Sequence, residues 1–311
     1  MLLSNCTYWK IGGFCNQFYH ANSLKELIKV IKVTKGKKRL IIGNGTNILF
    51  DTNGCSCIII KLGNQFNYIA TDLNQRNPNI IEVGASYFVP RLIKNLSNFG
   101  FGGLEHCVGI PATLGGLIAM NGGSQRKSIS SRLISVTAID SDGNLVELKK
   151  EECLFGYRKS IFLQKDLIII SAIFELDCIT KNSNRHELLS ILQERNKKFP
   201  RKEPNSGSVF KSSKEIYELI GPPGYIIESL GLKGFNIGGA KVSEKHANFI
   251  VNTGNATSDD VINLINYIND CCFEKYKIRM DVEPIYIDEL GNSRDLTFFS
   301  RKSALSNINE K

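Results

Sequence analysis

The chain has 311 residues, of which 42% are hydrophobic and 22% are charged, and this composition excludes a disordered or fibrous protein. Its apolar runs are far shorter than the roughly 20 residues of a membrane-spanning helix, so no membrane partner is expected. The 39 Lys and Arg outnumber the 30 Asp and Glu and give a net charge of +9, which favours anionic ligands. Because the basic residues are spread along the chain without a nucleic-acid-binding motif, we expect a phosphorylated small molecule and no nucleic acid.

The cysteines give no sign of a metal site or a disulfide framework. There are nine of them, an odd number, and none stands at the spacing that metal ligands use. The first residues lack the basic and apolar regions of a secretory signal. We therefore expect reduced thiols packed as small hydrophobes, no bound metal and a cytoplasmic protein.

The first half of the chain opens with a helix and continues with short strands. Ser23 and Glu26 predict a capped helix start, and residues 38–43 read as a short buried strand. Further strand candidates are separated by turn residues, among them a hairpin turn at 141–144. These candidates are residues 57–62, 80–83, 133–140, 145–148 and 167–176.

The second half is predicted to form a separate unit. The polar segment 177–185 breaks the apolar pattern and is interpreted as a linker, which places the division near residue 180. Helices are predicted over 186–199, 213–219 and from 258 or 259 to about 276, and a strand over 247–252.

Two glycine-rich segments are candidates for binding phosphate. Residues 43–49 directly follow a predicted strand, and glycines allow the backbone N–H groups of such a turn to converge on an anion. Ile48 occupies the third glycine position of the dinucleotide fingerprint, so that motif is excluded. Residues 102–123 hold seven glycines interleaved with apolar residues. The alternatives are an ordinary tight turn and a glycine-rich helix packing surface, but two such segments together favour a dinucleotide.

Three polar groups are candidates for chemistry. Arg158 lies among aromatic residues and suits two-pronged binding of a carboxylate. Ser208 lies in a turn that presents a hydroxyl, and Glu283 stands in an apolar setting where burial would raise its pKa. Each also has a plain interpretation, as a surface Arg, a turn Ser and a solvated Glu. His246 has no partner at metal-ligand spacing, so a structural or substrate hydrogen bond is preferred.

In this order and spacing, the motifs resemble those of the UDP-N-acetylenolpyruvoylglucosamine reductases. The similarity runs from about residue 5 to residue 288 and leaves the tail after residue 290 uncovered. The segments that carry it are 7–13, 43–49, 103–116, 120–123, 157–162, 206–211 and 231–252.

The resemblance implies an α+β fold. It implies a vanillyl-alcohol-oxidase-type FAD-binding unit over 1–180, with two α+β subdomains at about 1–60 and 61–180, and an α+β substrate-binding domain over 186–290. A tail of unknown role follows at 291–311. The C-terminal domain lacks a longer insertion, as in the compact subclass of the family, and a monomer is expected.

The resemblance also implies the ligands and their residues. Non-covalent FAD is reduced by NADPH, and UDP-N-acetylglucosamine enolpyruvate is then reduced to UDP-N-acetylmuramate. Arg158 would clamp the substrate carboxylate, Glu283 would hydrogen-bond it as a protonated acid, and Ser208 would deliver a proton to carbon. Cofactor-binding positions are Gly43, Asn44, Gly45, Thr46, Asn47, Ile48, Gly109, Ile110, Pro111, Thr113, Gly115, Gly116, Asn121 and Gly123. Substrate-binding positions are Tyr157, Lys233, Lys245, His246 and Asn248.

The sequence departs from the family pattern at several positions. Ala112 replaces a usual Gly, Phe199 a usual Gln, and Asp288 a usual Gly, while Thr46 keeps the hydroxyl of a common Ser. An alternative function is an FAD-dependent oxidase or dehydrogenase of the same flavin fold acting on an alcohol. A non-enzymatic flavoprotein or nucleotide-binding module is the third interpretation.

Overall fold

The computed structural model describes residues 1–71 and 77–299, so the predicted tail lies outside the described residues from residue 300 onward. The helices are α1 Leu24–Val33, α2 Val89–Phe99, α3 Leu114–Ala119, α4 Arg185–Lys198, α5 Lys214–Leu219, α6 Pro223–Ser229 and α7 Ser258–Tyr276. The strands are β1 Cys15–Ala21, β2 Arg39–Ile42, β3 Ile48–Phe50, β4 Cys55–Leu62, β5 Ile69–Ala70, β6 Ile80–Gly84, β7 Phe101–Gly102, β8 Gly123–Ser124, β9 Lys127–Ser128, β10 Leu133–Ile139, β11 Leu145–Lys149, β12 Ile168–Glu175, β13 Asp177–Cys178, β14 Asn236–Ile237, β15 Ala240–Val242, β16 Ile250–Asn252, β17 Ile285–Ile287 and β18 Ser293–Asp295.

The described residues form two compact units that are discontinuous in sequence. The middle unit holds residues 18–44 and 58–197, and the terminal unit holds 1–17, 45–57 and the residues from 198 onward. The sequence predicts a single division near residue 180, whereas these units alternate along the chain. The reason is that residues 1–17 and 45–57 pack with the C-terminal part of the chain. The assignment of FAD binding to residues 1–180 and of substrate binding to residues 186–290 remains a proposal.

The middle unit is built on a five-stranded sheet in the order β11, β10, β12, β6 and β5. Neighbouring strands pair in antiparallel fashion. Apolar residues of α2 and α3 belong to the same hydrophobic core as those of the sheet. Helix α3 lies beside β6 and β12. The Gly115 N–H donates to the Ala85 carbonyl at 2.8 Å, just after β6 ends. The sheet therefore fixes the place of the glycine-rich segment.

The polar segment 177–185 differs from the predicted linker. Its first two residues form β13, which pairs with β7, and the Ile179 N–H donates to the Gly100 carbonyl at 2.9 Å. Both residues of β13 are exposed. The polar composition thus reflects an exposed edge of the middle unit, which continues through Lys197.

The terminal unit combines two small sheets with the long helix α7. One sheet has the order β14, β15, β16, and the other joins β17 to β18 and, in parallel, to β3. Helix α7 begins with a capping box in which Thr257 and Asp260 bond each other's backbone N–H. Trp9 is fully buried, and its indole N–H donates to the Ile250 carbonyl at 2.8 Å. These contacts join the first residues of the chain to its C-terminal part.

Two global properties concern ligands and partners. Within residues 1–71 and 77–299, no helix combines the length and the apolar character that crossing a bilayer requires. Over the same ranges, no three His, Cys, Asp or Glu side chains are grouped as metal ligands.

Candidate active site

In the middle unit the two glycine-rich segments predicted to bind phosphate meet. A Cβ added to Gly43 would lie 2.2 Å from the Thr113 hydroxyl oxygen. The Asn44 side-chain amide donates to the Pro111 carbonyl at 3.1 Å. Such close approach requires glycine at residue 43 and brings the loop after β2 against the start of α3.

The start of α3 is capped by a member of the predicted set. Thr113 has extended backbone angles, and its hydroxyl accepts the Gly116 N–H at 3.4 Å. Ala112 is buried and belongs to the apolar core of the middle unit. Its carbonyl accepts the Val89 N–H at 3.0 Å, which ties the segment to α2.

Residue 45 has to be glycine for two reasons, its positive φ and its close contacts within the terminal unit. Its φ is +62°, and an added Cβ would lie 2.2 Å from the Cys6 carbonyl oxygen and 2.8 Å from the Thr7 Cα. The Tyr8 N–H donates to the Gly45 carbonyl at 3.1 Å. The loop is therefore packed against residues 6–8, a contact that any side chain would break.

Two buried polar atoms of the glycine-rich segment lack a protein partner. His106 Nε2 and Asn121 Oδ1 make no hydrogen bond within the described part of the chain. Both residues are more than nine-tenths buried. An unsatisfied buried polar group costs about 1–3 kcal/mol, so each is expected to meet a polar ligand or water. With the close approach at Gly43, these atoms fit a bound flavin nucleotide.

Arg158 lies in a tight turn that is attached to the end of α3. Gly156 and Lys159 exchange two backbone hydrogen bonds of 3.1 and 3.2 Å, and Arg158 has a φ of +55°. The Asn121 side-chain amide donates to the Gly156 carbonyl at 2.9 Å, and the Ser160 hydroxyl donates to the Ala119 carbonyl at 2.6 Å. The glycine-rich segment therefore holds the turn that carries Arg158.

Arg158 lies beside an aromatic ring and is partly withdrawn from solvent. Its guanidinium carbon lies 5.0 Å from the centre of the Tyr157 ring, a cation–π distance. Arg158 is half-buried and Tyr157 is exposed. A half-buried guanidinium keeps its charge while losing part of its water, which strengthens its interaction with an anion.

In the terminal unit, Ser208 and Glu283 lie on two neighbouring, hydrogen-bonded segments of the chain. The Glu283 N–H donates to the carbonyl of Val209, the residue after Ser208, at 2.8 Å. The Asn47 side-chain amide donates to the Glu283 carbonyl at 3.2 Å. Glu283 and Ser208 are both half-buried. The apolar enclosure expected around Glu283 is thus only partial, although its neighbours Val282 and Pro284 are buried.

Asn248 is among the predicted substrate-binding residues, and each end of its side-chain amide makes a hydrogen bond to backbone. Its Oδ1 accepts the Phe210 N–H at 2.8 Å, and its Nδ2 donates to the Phe210 carbonyl at 2.9 Å. Its own carbonyl accepts the Val209 N–H at 2.9 Å. The segment that carries Ser208 is held on one side by Asn248.

His246 stands in an aromatic group next to Asn248. Its ring lies 5.4 Å from the Phe199 ring and 5.1 Å from the Phe249 ring, and its Nδ1 accepts the Asn248 N–H at 3.2 Å. Burial, helped by the charges of Lys198 and Lys233, lowers its pKa from 6.5 to about 4. His246 is therefore neutral at neutral pH, and Phe199 contributes a ring where the family usually has an amide.

This lowered pKa predicts a pH dependence of stability. Between pH 6.5 and about 4 the unfolded chain binds a proton at His246 that the folded protein does not, so the free energy of unfolding should fall as the pH falls through this window. The variant His246→Gln cannot titrate and should show a weaker fall. Urea midpoints of both proteins at pH 7 and pH 4.5 measure it, and parallel falls would contradict the prediction.

The predicted lysines occupy different settings. Lys233 forms an ion pair with Glu228 of α6 at 2.7 Å, and it is close enough to influence His246. Lys245 is exposed, and its backbone N–H donates to the Ser243 hydroxyl at 3.2 Å.

Arg195 of α4 is a residue that the sequence analysis missed. A Cβ added to Gly109 would lie 2.2 Å from its Nε, so its side chain covers this predicted cofactor-binding glycine. The available signal was its place in the helix: Leu188 and Ile191 are buried at helical spacing, and Arg195 continues that face. Its distance along the chain from Gly109 hid the contact.

Comparisons with known proteins identify both parts of the chain. A family model described as an FAD binding domain matches residues 16–149. A second, described as the C-terminal domain of UDP-N-acetylenolpyruvoylglucosamine reductase, matches residues 199–287. The crystal structure of this reductase from Thermus caldophilus superposes with a TM-score of 0.77 at 27% identity, covering 92% of this chain and 97% of that one. The predicted α+β fold with a flavin-binding part is confirmed.

Curated relatives extend the likeness over nearly the whole chain. UDP-N-acetylenolpyruvoylglucosamine reductase 1 of Corynebacterium glutamicum is 36% identical over 299 residues, which are 94% of this chain and 86% of the relative. The reductase of Halalkalibacterium halodurans is 37% identical over 290 residues, 92% of this chain and 93% of the relative. The resemblance seen in the motifs is therefore confirmed, and the chain belongs to the family of UDP-N-acetylenolpyruvoylglucosamine reductases.

Proposed function

We propose that this protein uses NADPH and bound FAD to reduce UDP-N-acetylglucosamine enolpyruvate to UDP-N-acetylmuramate. The observation that carries the proposal is the meeting of its two glycine-rich segments. Gly43 and Asn44 lie against Thr113 and Pro111 within the region that matches an FAD binding domain. The C-terminal match and the curated relatives support the choice of substrate.

FAD would be held by the two glycine-rich segments. The close approach at Gly43 and the unsatisfied Asn121 Oδ1 support this assignment. When bound, FAD supplies hydride transfer from NADPH to the methylene carbon of the enolpyruvyl group. The proposed residues are Gly43, Asn44, Gly45, Thr46, Asn47, Ile48, Gly109, Ile110, Pro111, Thr113, Gly115, Gly116, Asn121 and Gly123.

The chain's own side chains must stabilise and then remove negative charge at the carbon next to the carboxylate. We assign the carboxylate to Arg158, whose forked guanidinium binds it in two places and is half-buried. Glu283 would hydrogen-bond the same carboxylate in its protonated form. Ser208 would donate its proton to carbon, which is reasonable because an enolate-like carbanion is a strong base.

The nucleotide part of the substrate would meet a cationic and aromatic surface of the terminal unit. Lys233 and Lys245 supply positive charge, and neutral His246 supplies a ring and a hydrogen-bonding edge. Tyr157 is exposed and can contact substrate from its turn. The overall charge of +9 suits both a diphosphate and the additional phosphate of NADPH.

An alcohol-oxidising flavoprotein is the less favoured alternative. Such an enzyme has no use for a carboxylate clamp together with a proton-donating Ser, and its relatives would not match the C-terminal domain found here. We place the proposed reaction in the cytoplasm, where nucleotide sugars and NADPH are available. A monomer is proposed, and sedimentation velocity tests it.

The direct test of the function is NADPH oxidation by the purified yellow protein, with and without the enolpyruvyl nucleotide. Oxidation that the nucleotide stimulates, with formation of the lactyl ether product, is expected. Stimulation by an alcohol substrate in place of the nucleotide would overturn the proposal.

Arg158→Lys tests the carboxylate clamp. Lysine keeps the positive charge but loses the fork, so kcat/KM for the enolpyruvyl nucleotide should fall on the order of 10²-fold, with effects on both kcat and KM. Steady-state kinetics measure it, and Arg91→Lys, at an exposed position of α2, serves as the matched control. If the Arg158→Lys variant works as well as the wild-type protein, two-pronged binding is ruled out.

A further inference from the structure

The chain segment that carries Ser208 is fixed from both sides by hydrogen bonds. On one side the Val209 carbonyl accepts the Glu283 N–H at 2.8 Å, and the Lys211 N–H donates to the Asp281 carbonyl at 2.8 Å. On the other side, none of the strands in the described ranges pairs with residues 208–211. The partner there is the residue Asn248.

Asn248 takes the place of a neighbouring strand. Its side-chain amide satisfies both the N–H and the carbonyl of Phe210, at 2.8 and 2.9 Å. Its backbone carbonyl adds a third bond, to the Val209 N–H at 2.9 Å. Only 6% of Asn248 is exposed. Both ends of the amide are engaged by backbone, and the N–H and lone pair that remain are buried with the rest of the residue.

Asn248 is itself held in register. Its backbone N–H donates to His246 Nδ1 at 3.2 Å, so the neutral imidazole orients the residue that orients the segment. Ser208 directly precedes Val209 and Phe210, so its place depends on where Asn248 holds these two residues. A buried amide that bonds both the N–H and the carbonyl of one residue fixes the position and the orientation of the backbone there.

We propose that Asn248 is a positioning residue for Ser208 rather than a substrate ligand: it sets the place of the Ser208 hydroxyl relative to Glu283. This inference rests on the proposed function, in which Ser208 donates the proton. A displacement of about 1 Å in a reacting group can cost about 10²-fold in rate. Loss of Asn248 should therefore slow proton delivery without weakening substrate binding.

The first experiment separates rate from affinity. In Asn248→Ala, NADPH should reduce the flavin at the wild-type rate, and reoxidation at saturating enolpyruvyl nucleotide should slow by about 10²-fold. The dissociation constant of the nucleotide should change less than about 3-fold, because a residue that makes no contact with the ligand has only a small effect on binding. Weaker binding with a normal saturating rate would overturn the inference in favour of substrate contact.

Asn252→Ala is the matched control for structural damage. Asn252 is also 6% exposed and also bonds backbone, namely the Trp9 carbonyl and the Gly254 and Ala256 N–H groups. Both variants should lose stability, but only the change at Asn248 should slow reoxidation. Equal slowing in the two variants would show that general loosening of the unit is responsible.

Asn248→Asp adds a readout that damage cannot imitate. Its carboxylate accepts the Phe210 N–H but repels the Phe210 carbonyl, whereas the protonated carboxyl again supplies a donor and an acceptor. The ratio of its reoxidation rate to that of wild type should therefore rise as the pH falls. His246 lies next to the new carboxylate and would respond to it. Repeating the comparison with His246→Gln present in both proteins removes this titration from the ratio. A ratio independent of pH contradicts the proposal.

Hydrogen exchange of the Phe210 N–H, measured without substrate, completes the test. Exchange should be faster in Asn248→Ala than in wild type, and unchanged exchange would overturn the positioning role. If the nucleotide fails to reoxidise even the wild-type flavin, the proposed function fails, while the exchange experiment still decides whether Asn248 holds the segment.

Discussion

Ser208→Ala is expected to separate the two halves of the catalytic cycle. NADPH should still bleach the flavin at close to the wild-type rate, because that step requires no proton from Ser208. Reoxidation by the enolpyruvyl nucleotide should fall by several orders of magnitude. General acid–base catalysis is typically worth about 10²- to 10⁴-fold, and we expect no neighbouring side chain to replace the proton of Ser208.

Stopped-flow absorbance at the flavin maximum reads both steps in one sample. Ser208→Cys should recover part of the activity through its more acidic thiol. Ser213→Ala is the control, since this nearby hydroxyl caps α5 by accepting the Ile216 N–H at 3.4 Å and should matter only for stability. Equal slowing of both steps in Ser208→Ala would mean that the residue positions the flavin or the loop instead of donating the proton.

Gly45→Val should yield protein that is largely free of flavin. A β-branched residue at φ +62° costs about 1–2 kcal/mol from conformation alone. Its Cβ would in addition lie 2.2 Å from the Cys6 carbonyl oxygen, so the loop has to leave residues 6–8. Because Gly45 lies between Gly43 and Asn47, the predicted diphosphate loop would be displaced.

Flavin content per protein, from absorbance and acid release, measures this effect. Gly36→Val provides the matched control, because Gly36 has a φ of +76° but an added Cβ meets no atom within 4 Å. The control should lose comparable conformational stability and retain full flavin. Full occupancy in Gly45→Val would contradict the placement of FAD against this loop.

Local signals in the sequence are sufficient to predict many elements. Ser23 and Glu26 mark the start of α1, where the Ser23 hydroxyl accepts the Glu26 N–H at 3.2 Å. The predicted helix from 258 or 259 to about 276 is α7, Ser258–Tyr276. The turn predicted at 141–144 is confirmed, since the Asp140 carboxylate accepts the N–H groups of Asp142 and Asn144. In each case the stabilising contact spans only a few residues.

Other features depend on partners far along the chain. The parallel pairing of β3 with β17 joins two strands of three residues, and neither carries enough pattern to be recognised alone. Helix α2 was missed although Pro90 at its start and Gly100 at its end are typical signals. The engagement of Asn248 with Phe210 was hidden because an Asn near a strand shows no preference between backbone and ligand.

The site is predicted from motifs more than from chemistry. Arg158, Ser208 and Glu283 each have a plain structural interpretation, and only their order among the other motifs singles them out. The sequence does not reveal that Asn121 and Ser160 hold the Arg158 turn against α3. Such supporting contacts join backbone carbonyls to side chains and leave little trace in residue type.

The discontinuity of the terminal unit has a consequence for synthesis on the ribosome. Trp9 finds its hydrogen-bond partner 241 residues later, at Ile250. At about 5–20 residues per second, translation takes roughly 10 to 50 s to cover that distance. During this interval the Trp9 indole and the strand β3 have no place to be buried, whereas the middle unit acquires its last residue, Lys197, earlier. Trp9 and β3 therefore stay exposed to solvent until the C-terminal part of the chain emerges, a consequence of building one unit out of three pieces of sequence.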